Sequence, residues 1–424
     1  MFQTISPLAN GKYLHWDELR YRKPPNGISR DGWWAALVLG RSGLMQQLPH
    51  LHDKNGRPFS FATPSPVMID LHHIDRDAAG RIKSANGVPI QESPAHYLLS
   101  SLIEESITSS QLEGAATTRQ VAAVMLREGR KPSDMGETMI FNNFKAMEHL
   151  RALKQEAITP ELIIDLHRML TENTLENPAD AGRLRTTDDI HVFDRRDNTT
   201  MHEPPPSTEL AERMERLCVF ANADEASLPF VHPVLRAILL HFVIGYDRPF
   251  VDGNGRTARA LFYWSMARSG YWLMEYTSIS HILRRSPNSY MRAYLKTETG
   301  QNDTTYFLLH QLSTIRRAIV ALHEYLARKT GEQRETEKLL AGSPKLRTKF
   351  NHRQVALLTH ALRNTGEGYR VDAHQRSHNV VYQTARNDLM TLHTLGLLEK
   401  AKKGNAYVYF SPEDLRDRLA MLAK

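Results

Sequence analysis

Gly245 to Arg259 reads GYDRPFVDGNGRTAR, and the reading of this stretch decides the fold around it. Upstream, Leu235, Ile238, Leu239, Phe242 and Tyr246 recur at the i, i+3, i+4 spacing of a core-facing helix running from Pro233 to Tyr246. Downstream, Thr257 to Arg268 returns to helical composition. Asp252, Gly253, Asn254 and Gly255 therefore form a tight turn whose backbone amides feed a helix N-terminus. Such a turn is an anion site, because unpaired N–H groups and the positive end of the helix dipole point the same way. Arg256 and Arg259 lie three apart and share a helix face, where two guanidinium forks would hold successive phosphates of a polyphosphate. Asp252, at the mouth of the turn, is suited to the metal ion that accompanies phosphates.

These residues resemble the signature of the Fic-domain family, His-Pro-Phe-x-Asp-Gly-Asn-Gly-Arg-x-x-Arg. RPFVDGNGRTAR matches every fixed position except the first, which is Arg248. The resemblance implies a protein adenylyltransferase that moves AMP from ATP to a protein hydroxyl. By that resemblance Asp252 binds Mg²⁺, Asn254 and the Gly253 to Gly255 amides cradle phosphates, and Arg256 and Arg259 clamp them. The family's histidine is the general base, and an arginine cannot replace it, because a guanidinium offers no acceptor lone pair.

A second constellation lies upstream. Leu98, Leu102, Ile103, Ile107 and Ser110 mark one face of a helix ending near Gly114, a C-cap glycine. Ser109, Glu113 and Gly114 resemble the Ser/Thr-x-x-x-Glu-Gly/Asn inhibitory helix of Fic proteins whose autoinhibitor precedes the core. The resemblance implies that Glu113 pairs with Arg259 and keeps the ATP γ-phosphate from docking productively.

Composition bounds the rest. The chain has 424 residues, 41% hydrophobic, enough for two or three domains with real cores. The single cysteine, Cys218, excludes an internal disulfide and a CxxC zinc site, fits a reducing cytoplasm, and reads as a core residue. No signal-peptide pattern opens the sequence and no apolar run approaches the length of a membrane span, so a cytoplasmic protein with no membrane partner is expected. A net charge of +7 suits an anionic partner, nucleotide or nucleic acid, without choosing between them. Walker GxxxxGK[ST] and HExxH motifs are absent from the sequence.

In order, residues 1–92 read as an N-terminal extension, with a helix over Gly32 to Gln47 burying Trp34, Leu37, Val38 and Leu44. Scaffold helices are expected over Arg119 to Glu128, with Thr117 and Gln120 as a capping box, over Met139 to Gln155, and from Thr159-Pro160 through Leu170. Residues 181–206 break the helical pattern, and GRLRTTDDIHVF followed by HEPPPS resembles the target-holding hairpin flap of Fic proteins. His191 and His202 within it read as surface residues. Trp272 to Ala293, including Tyr290, would wall the adenine, although core aromatics explain the same pattern. A helix from Tyr306 to Thr330 closes a Fic core spanning 93–330, and 331–344 reads as a linker.

Residues 345–424 form a further domain. Helices over Arg353 to Arg363 and Thr384 to Leu395, then two strands around Lys402, Lys403, Gly404 and Asn405, resemble a winged helix-turn-helix. Tyr382, Gln383 and Arg386 would face DNA bases, with Lys402 and Lys403 on phosphates, or the same face would serve a protein partner. The expected fold is thus mainly α, a Fic-type core with a β-hairpin flap and a C-terminal winged helix. Its expected function is AMP transfer restrained by Glu113 and impaired by Arg248. The alternative is a catalytically silent nucleotide-binding or DNA-binding regulator. The target protein is unknown, the chain itself included, and homo-oligomerisation stays open.

Overall fold

The computed structural model describes residues 6–79, 94–193, 200–341, 349–403 and 406–423. Its helices are α1 (Trp16–Leu19), α2 (Arg30–Ser42), α3 (Ser65–Ile74), α4 (Pro94–Leu112), α5 (Arg119–Glu128), α6 (Met135–Ala152), α7 (Pro160–Thr171), α8 (Leu210–Asn222), α9 (Pro233–Asp247), α10 (Asn254–Arg268), α11 (Ile279–Arg284), α12 (Pro287–Thr299), α13 (Thr305–Ala341), α14 (His352–Ala361), α15 (Val371–His378), α16 (Tyr382–Thr394) and α17 (Leu415–Ala423). The strands are β1 (Gln46–His52), β2 (Pro58–Phe61), β3 (Val192–Phe193), β4 (Thr200–His202), β5 (Gly368–Tyr369), β6 (Glu399–Lys403) and β7 (Ala406–Phe410). The fold is mainly helical, and no described helix is long and apolar enough to cross a membrane.

Two units emerge. The first takes its described residues from Met1–Gly80, Glu105–Thr117 and Ser133–Ile319. Its centre is α9, apolar except for Arg236 and His241, with every residue from Val234 to Ile244 buried. A helix that is hydrophobic on nearly every side must be covered all round, and α10 and α8 pack on it while α6 and α7 pack on α10. Phe59 of β2 reaches this centre, its ring edge-on to Phe242 at 5.1 Å. The β1–β2 hairpin is antiparallel, with its register shifted between Leu48 and His52. Cys218 is buried in α8, and burial pushes its thiol up to about 12.

Several sequence expectations change here. Helix α2 ends at Ser42 and buries Trp33, Leu37 and Arg41, whereas Leu44 is exposed. Trp34 is half-buried, because Trp33 and Leu37 stand four apart on one face and Trp34 lies a residue to the side. The cap of α5 is Thr118, whose side chain accepts from the Val121 N–H, and not Thr117. Helix α13 continues through residues 331–341, read from sequence as part of a linker. The run EQRETEKLLA is rich in strong helix formers and outweighs the single Gly331.

The second unit draws on Arg81–Glu104, Thr118–Pro132 and Val320–Lys424. A core of Val355, Leu358, Leu389, Leu392, Leu397 and Tyr409 joins α14 and α16 to a three-stranded antiparallel sheet of order β5-β7-β6. Helix α14 opens with a capping box between Asn351 and Gln354. Sequence reading gave α14, α16, β6 and β7 but missed β5, α15 and α17. Gly404 and Asn405 lie outside the described residues.

Candidate functional site

The turn after α9 is closed by its own side chains. Arg248 caps α9 in the left-handed region at φ +42°, its N–H donating to the Ile244 carbonyl. Asn254 then clasps the loop: its Oδ1 accepts from the Phe250 N–H at 3.0 Å and its Nδ2 donates to the Phe250 carbonyl at 2.7 Å. Asn254, with the Gly253 to Gly255 amides, was expected to cradle phosphate. Its side chain is buried and engaged with the loop backbone, and so shapes the turn. Gly253 sits at φ +81°, and a Cβ there would lie 2.7 Å from Thr171.

His167 of α7 braces this turn from behind. Its Nδ1 accepts from the Gly182 N–H at 3.0 Å, so Nε2 carries the proton and donates to the Asp252 carbonyl at 2.9 Å. The imidazole stacks on Phe250 with centroids 3.7 Å apart and 2° between planes. Burial pushes its pKa down to about 4, against the opposing pull of that bond, so the ring is neutral at neutral pH.

Arg185 ties the turn to the hairpin segment. Its backbone N–H donates to the Pro249 carbonyl at 2.9 Å, its Nε to the Arg248 carbonyl at 2.9 Å, and its Nη1 to Asp188 at 2.7 Å. Nη2 donates to the Pro205 carbonyl. One buried guanidinium thus joins the start of the turn to residues on both sides of β3 and β4, which pair antiparallel. His202 of β4 is buried, contrary to expectation: it faces the Tyr246 carbonyl at 2.6 Å and Glu298 at 3.0 Å, two acceptors that hold it inward. His191 is exposed.

The two arginines of α10 differ in their partners. Arg259 donates through Nε to Ser109 Oγ at 2.8 Å and through Nη2 to the Ser109 carbonyl at 3.0 Å and Glu113 Oε1 at 2.8 Å. Burial pulls its pKa down most strongly, but Glu113, Tyr290 and Glu105 together leave it raised. Gly255 leaves room for this approach, since a Cβ there would lie 2.1 Å from Glu113 Oε1 and displace that carboxylate. Arg256, equally buried, donates only from Nη1, to the Leu170 carbonyl at 2.8 Å. Its Nη2 stands 3.7 Å from the exposed Asp252 carboxylate, an ion-pair separation too long for a hydrogen bond. Nε and Nη2 of Arg256 are buried without a hydrogen-bond partner, as is Nε of Arg248, and burial lowers the Arg256 pKa. Buried donors in this condition cost free energy unless something meets them.

Sequence reading missed what holds α4 in place. Glu105, buried, accepts from Tyr263 Oη at 2.9 Å, Ser278 Oγ at 2.8 Å, Ser280 N at 3.2 Å and Ser280 Oγ at 2.5 Å. Burial raises its pKa against those bonds. Glu105 and Ser109 of α4 and Glu113 just past its end stand four apart, and that spacing was the available signal. Tyr290, a candidate for the adenine wall, directs its hydroxyl at Nε2 of buried His241 at 2.6 Å.

No group of three or more His, Cys, Asp or Glu that would hold a metal occurs among the described residues. The single exposed carboxylate of Asp252 beside the N-terminus of α10 nevertheless fits Mg²⁺, which takes one or two protein carboxylates and completes its shell from phosphate and water.

With this geometry in hand, residues 157–266 match the family model described as Fic/DOC family. The chain carries a Fic domain. It is similar to the protein adenylyltransferase Fic of Drosophila grimshawi, 28% identical over 198 residues that cover 46% of this chain and 38% of that one. It is also similar to the protein adenylyltransferase Fic of Nematostella vectensis, 34% identical over 118 residues, 28% of this chain and 25% of that one. The matched region thus spans well under half the length of these relatives. Among solved structures, a Fic family protein from Desulfovibrio desulfuricans aligns with a TM-score of 0.50 at 18% identity, covering 82% of this chain and 97% of that one. This last likeness concerns the fold. The Fic match includes α7, α8, α9 and most of α10, the elements that carry His167, the turn and both arginines.

A second surface lies in the C-terminal unit. On α16, Val381, Tyr382, Gln383, Arg386 and Asn387 are exposed, while Ala385, Leu389 and Leu392 turn to the core. Gln383 Nε2 donates to Asn387 Oδ1 at 2.9 Å. Lys402 is exposed on β6.

Proposed function

We propose that the chain is a Fic-type protein adenylyltransferase, held inactive by Glu113 and further impaired by Arg248. ATP phosphates meet the first-turn amides of α10 and the free nitrogens of Arg256. Mg²⁺, held through Asp252, would offset phosphate charge. The observation that carries this reading is the pair of α10 arginines: one has vacant donors beside the turn, the other is occupied by Ser109 and Glu113. In transfer, a target hydroxyl attacks the α-phosphorus, the bond to pyrophosphate breaks, and the hydroxyl proton must leave. Arg248 stands at the motif position of the base and cannot accept that proton. Loss of a general base costs about 10² to 10⁴ in rate.

The hairpin β3–β4, tied to the turn by Arg185, acts as the flap that aligns the target segment by strand pairing. The domain assignment follows: an N-terminal extension to residue 92, the inhibitory helix and Fic core from 93, and a winged helix from about 345, with the core's last helix extended to Ala341.

Intact-mass measurement with ATP and Mg²⁺ tests the assignment. The unchanged chain should gain no AMP, Glu113→Gly alone should bind ATP more tightly without transfer, and Glu113→Gly with Arg248→His should adenylylate itself. Transfer by the unchanged chain at a rate the double change does not raise would overturn the placing of Arg248. A second reading, a silent Fic relative acting through DNA, is favoured by the exposed Tyr382, Gln383, Arg386 and Lys402. Duplex binding that weakens steeply with salt, together with no transfer by the double variant, would select it.

A further inference from the structure

At the opposite end of α9 from the turn, a groove of about 490 Å³ opens between α8, β1 and the loop leading into α9. Its walls are apolar, with Leu48, Val219, Phe220, Pro229 and Val231 among them, and Arg236 lines it. Arg236 is 8% exposed, and its guanidinium has two long hydrogen bonds, from Nη2 to the Asp224 carbonyl at 3.5 Å and the Val231 carbonyl at 3.4 Å, and lies 5.8 Å from the centroid of the Phe220 ring. Its Nε is buried with no partner. Asp224 is the carboxylate whose charge it feels, but Asp224 Oδ1 is turned to Ser227 Oγ at 2.9 Å and the Ala226 N–H at 3.0 Å.

A buried cation in an apolar groove is unfavourable unless an anion meets it. The groove volume lies in the range that takes small ligands, roughly 300–1,000 Å³. We propose that this groove binds a small monocarboxylate, its carboxylate on the Arg236 guanidinium and its apolar body along Val219, Phe220 and Val231. A carboxylate there supplies the counter-charge to the guanidinium edge that lines the groove, and an alkyl chain covers wall surface now open to water. Neither an amine nor an alcohol of the same length supplies the negative charge that would pair with the Arg236 guanidinium.

Titration calorimetry of the full chain with sodium octanoate, with octanol and octylammonium as controls, tests this. Octanoate should bind with one site per chain and at least tenfold more tightly than octanol, and octylammonium should not bind. Arg236→Gln should reduce octanoate affinity at least tenfold, provided its thermal unfolding stays cooperative. Val219→Glu, at a position 55% exposed and therefore tolerant, sets a carboxylate at the mouth and should weaken octanoate at least fivefold. Equal binding of octanol and octanoate, no binding of octanoate, or an octanoate affinity unmoved by Val219→Glu would overturn the proposal. The groove lies outside the α10 turn and uses none of its residues, so this result does not depend on AMP transfer.

Discussion

Asp388 in the C-terminal unit and Arg256 in the Fic domain are both buried charges, and their surroundings differ. Asp388 accepts from Arg353 Nε at 2.6 Å and Nη2 at 3.0 Å, from Asn351 Nδ2 at 2.7 Å, and faces His374 Nε2 at 3.1 Å. Despite burial, these donors hold its carboxyl far below the usual range. Arg256 has one carbonyl for a guanidinium of five N–H donors and keeps two nitrogens vacant. A saturated buried charge fastens α14, α15 and α16 together. An unsaturated one retains binding capacity at some cost to stability, which is the condition of a site and not of a strut.

The largest expected effect comes from breaking the saturated cluster. Asp388→Ala leaves Arg353 and His374 without their carboxylate and should destabilise the C-terminal unit by about 3–5 kcal/mol. Hydrogen exchange across α14 to α16 reads this directly, and protection unchanged within experimental scatter would remove the contrast.

Acid should separate the two regions next. Folding depresses the His167 pKa to about 4, so the unfolded chain binds the proton first as pH falls. The stabilisation is complete above about pH 6.5 and is lost on descending to about 4, worth about 3 kcal/mol from this one group. Asp388 is also depressed, so its contribution is complete above the ordinary aspartate range and fades only as pH drops below that, through its lowered folded value. Exchange measured at pH 7, 5.5 and 4.5 should therefore show α7 and the turn loosening before α14 and α16. The reverse order would break the comparison.

Arg256→Met should act oppositely to Asp388→Ala. It removes charge that has no full partner, so thermal stability should hold or rise, while ATP·Mg²⁺ affinity falls by about ten- to a hundredfold, the worth of one or two charge-assisted bonds. Calorimetry and a melting curve on one preparation give both answers. A large loss of stability would make Arg256 structural. Smallest of all, Lys402→Ala should lower duplex affinity only slightly and flatten the log affinity against log salt slope by about 0.9, one phosphate contact. The eleven Lys and Arg against four acids between Ser343 and Phe410 motivate that test.

Much of this was legible in short-range pattern. Apolar spacing gave α9, Pro160 after Thr159 gave the start of α7, and the glycines gave the turn, because each signal lies within a few residues of its effect. The pairing of Glu113 with Arg259 was legible only through resemblance, since 146 residues separate them. What escaped depends on distant partners. Glu105 is an ordinary helix glutamate until Tyr263, Ser278 and Ser280 surround it. His202 looked like a surface residue until the Tyr246 carbonyl and Glu298 drew it inward. The part Asn254 plays in the loop escaped for a subtler reason: the motif names the residue but not that its side-chain amide turns back to Phe250.

That clasp has a further consequence. A loop fastened at both faces of one amide, backed by the His167 ring and begun by a residue already in the left-handed region, has surrendered its freedom during folding and not during binding. Ordering a residue's backbone costs about 1–2 kcal/mol in conformational entropy. An anion arriving at the α10 amides therefore finds that entropy already lost, and its association should show little ordering of the turn in backbone relaxation, with the enthalpy of the new contacts reaching the measured affinity nearly intact.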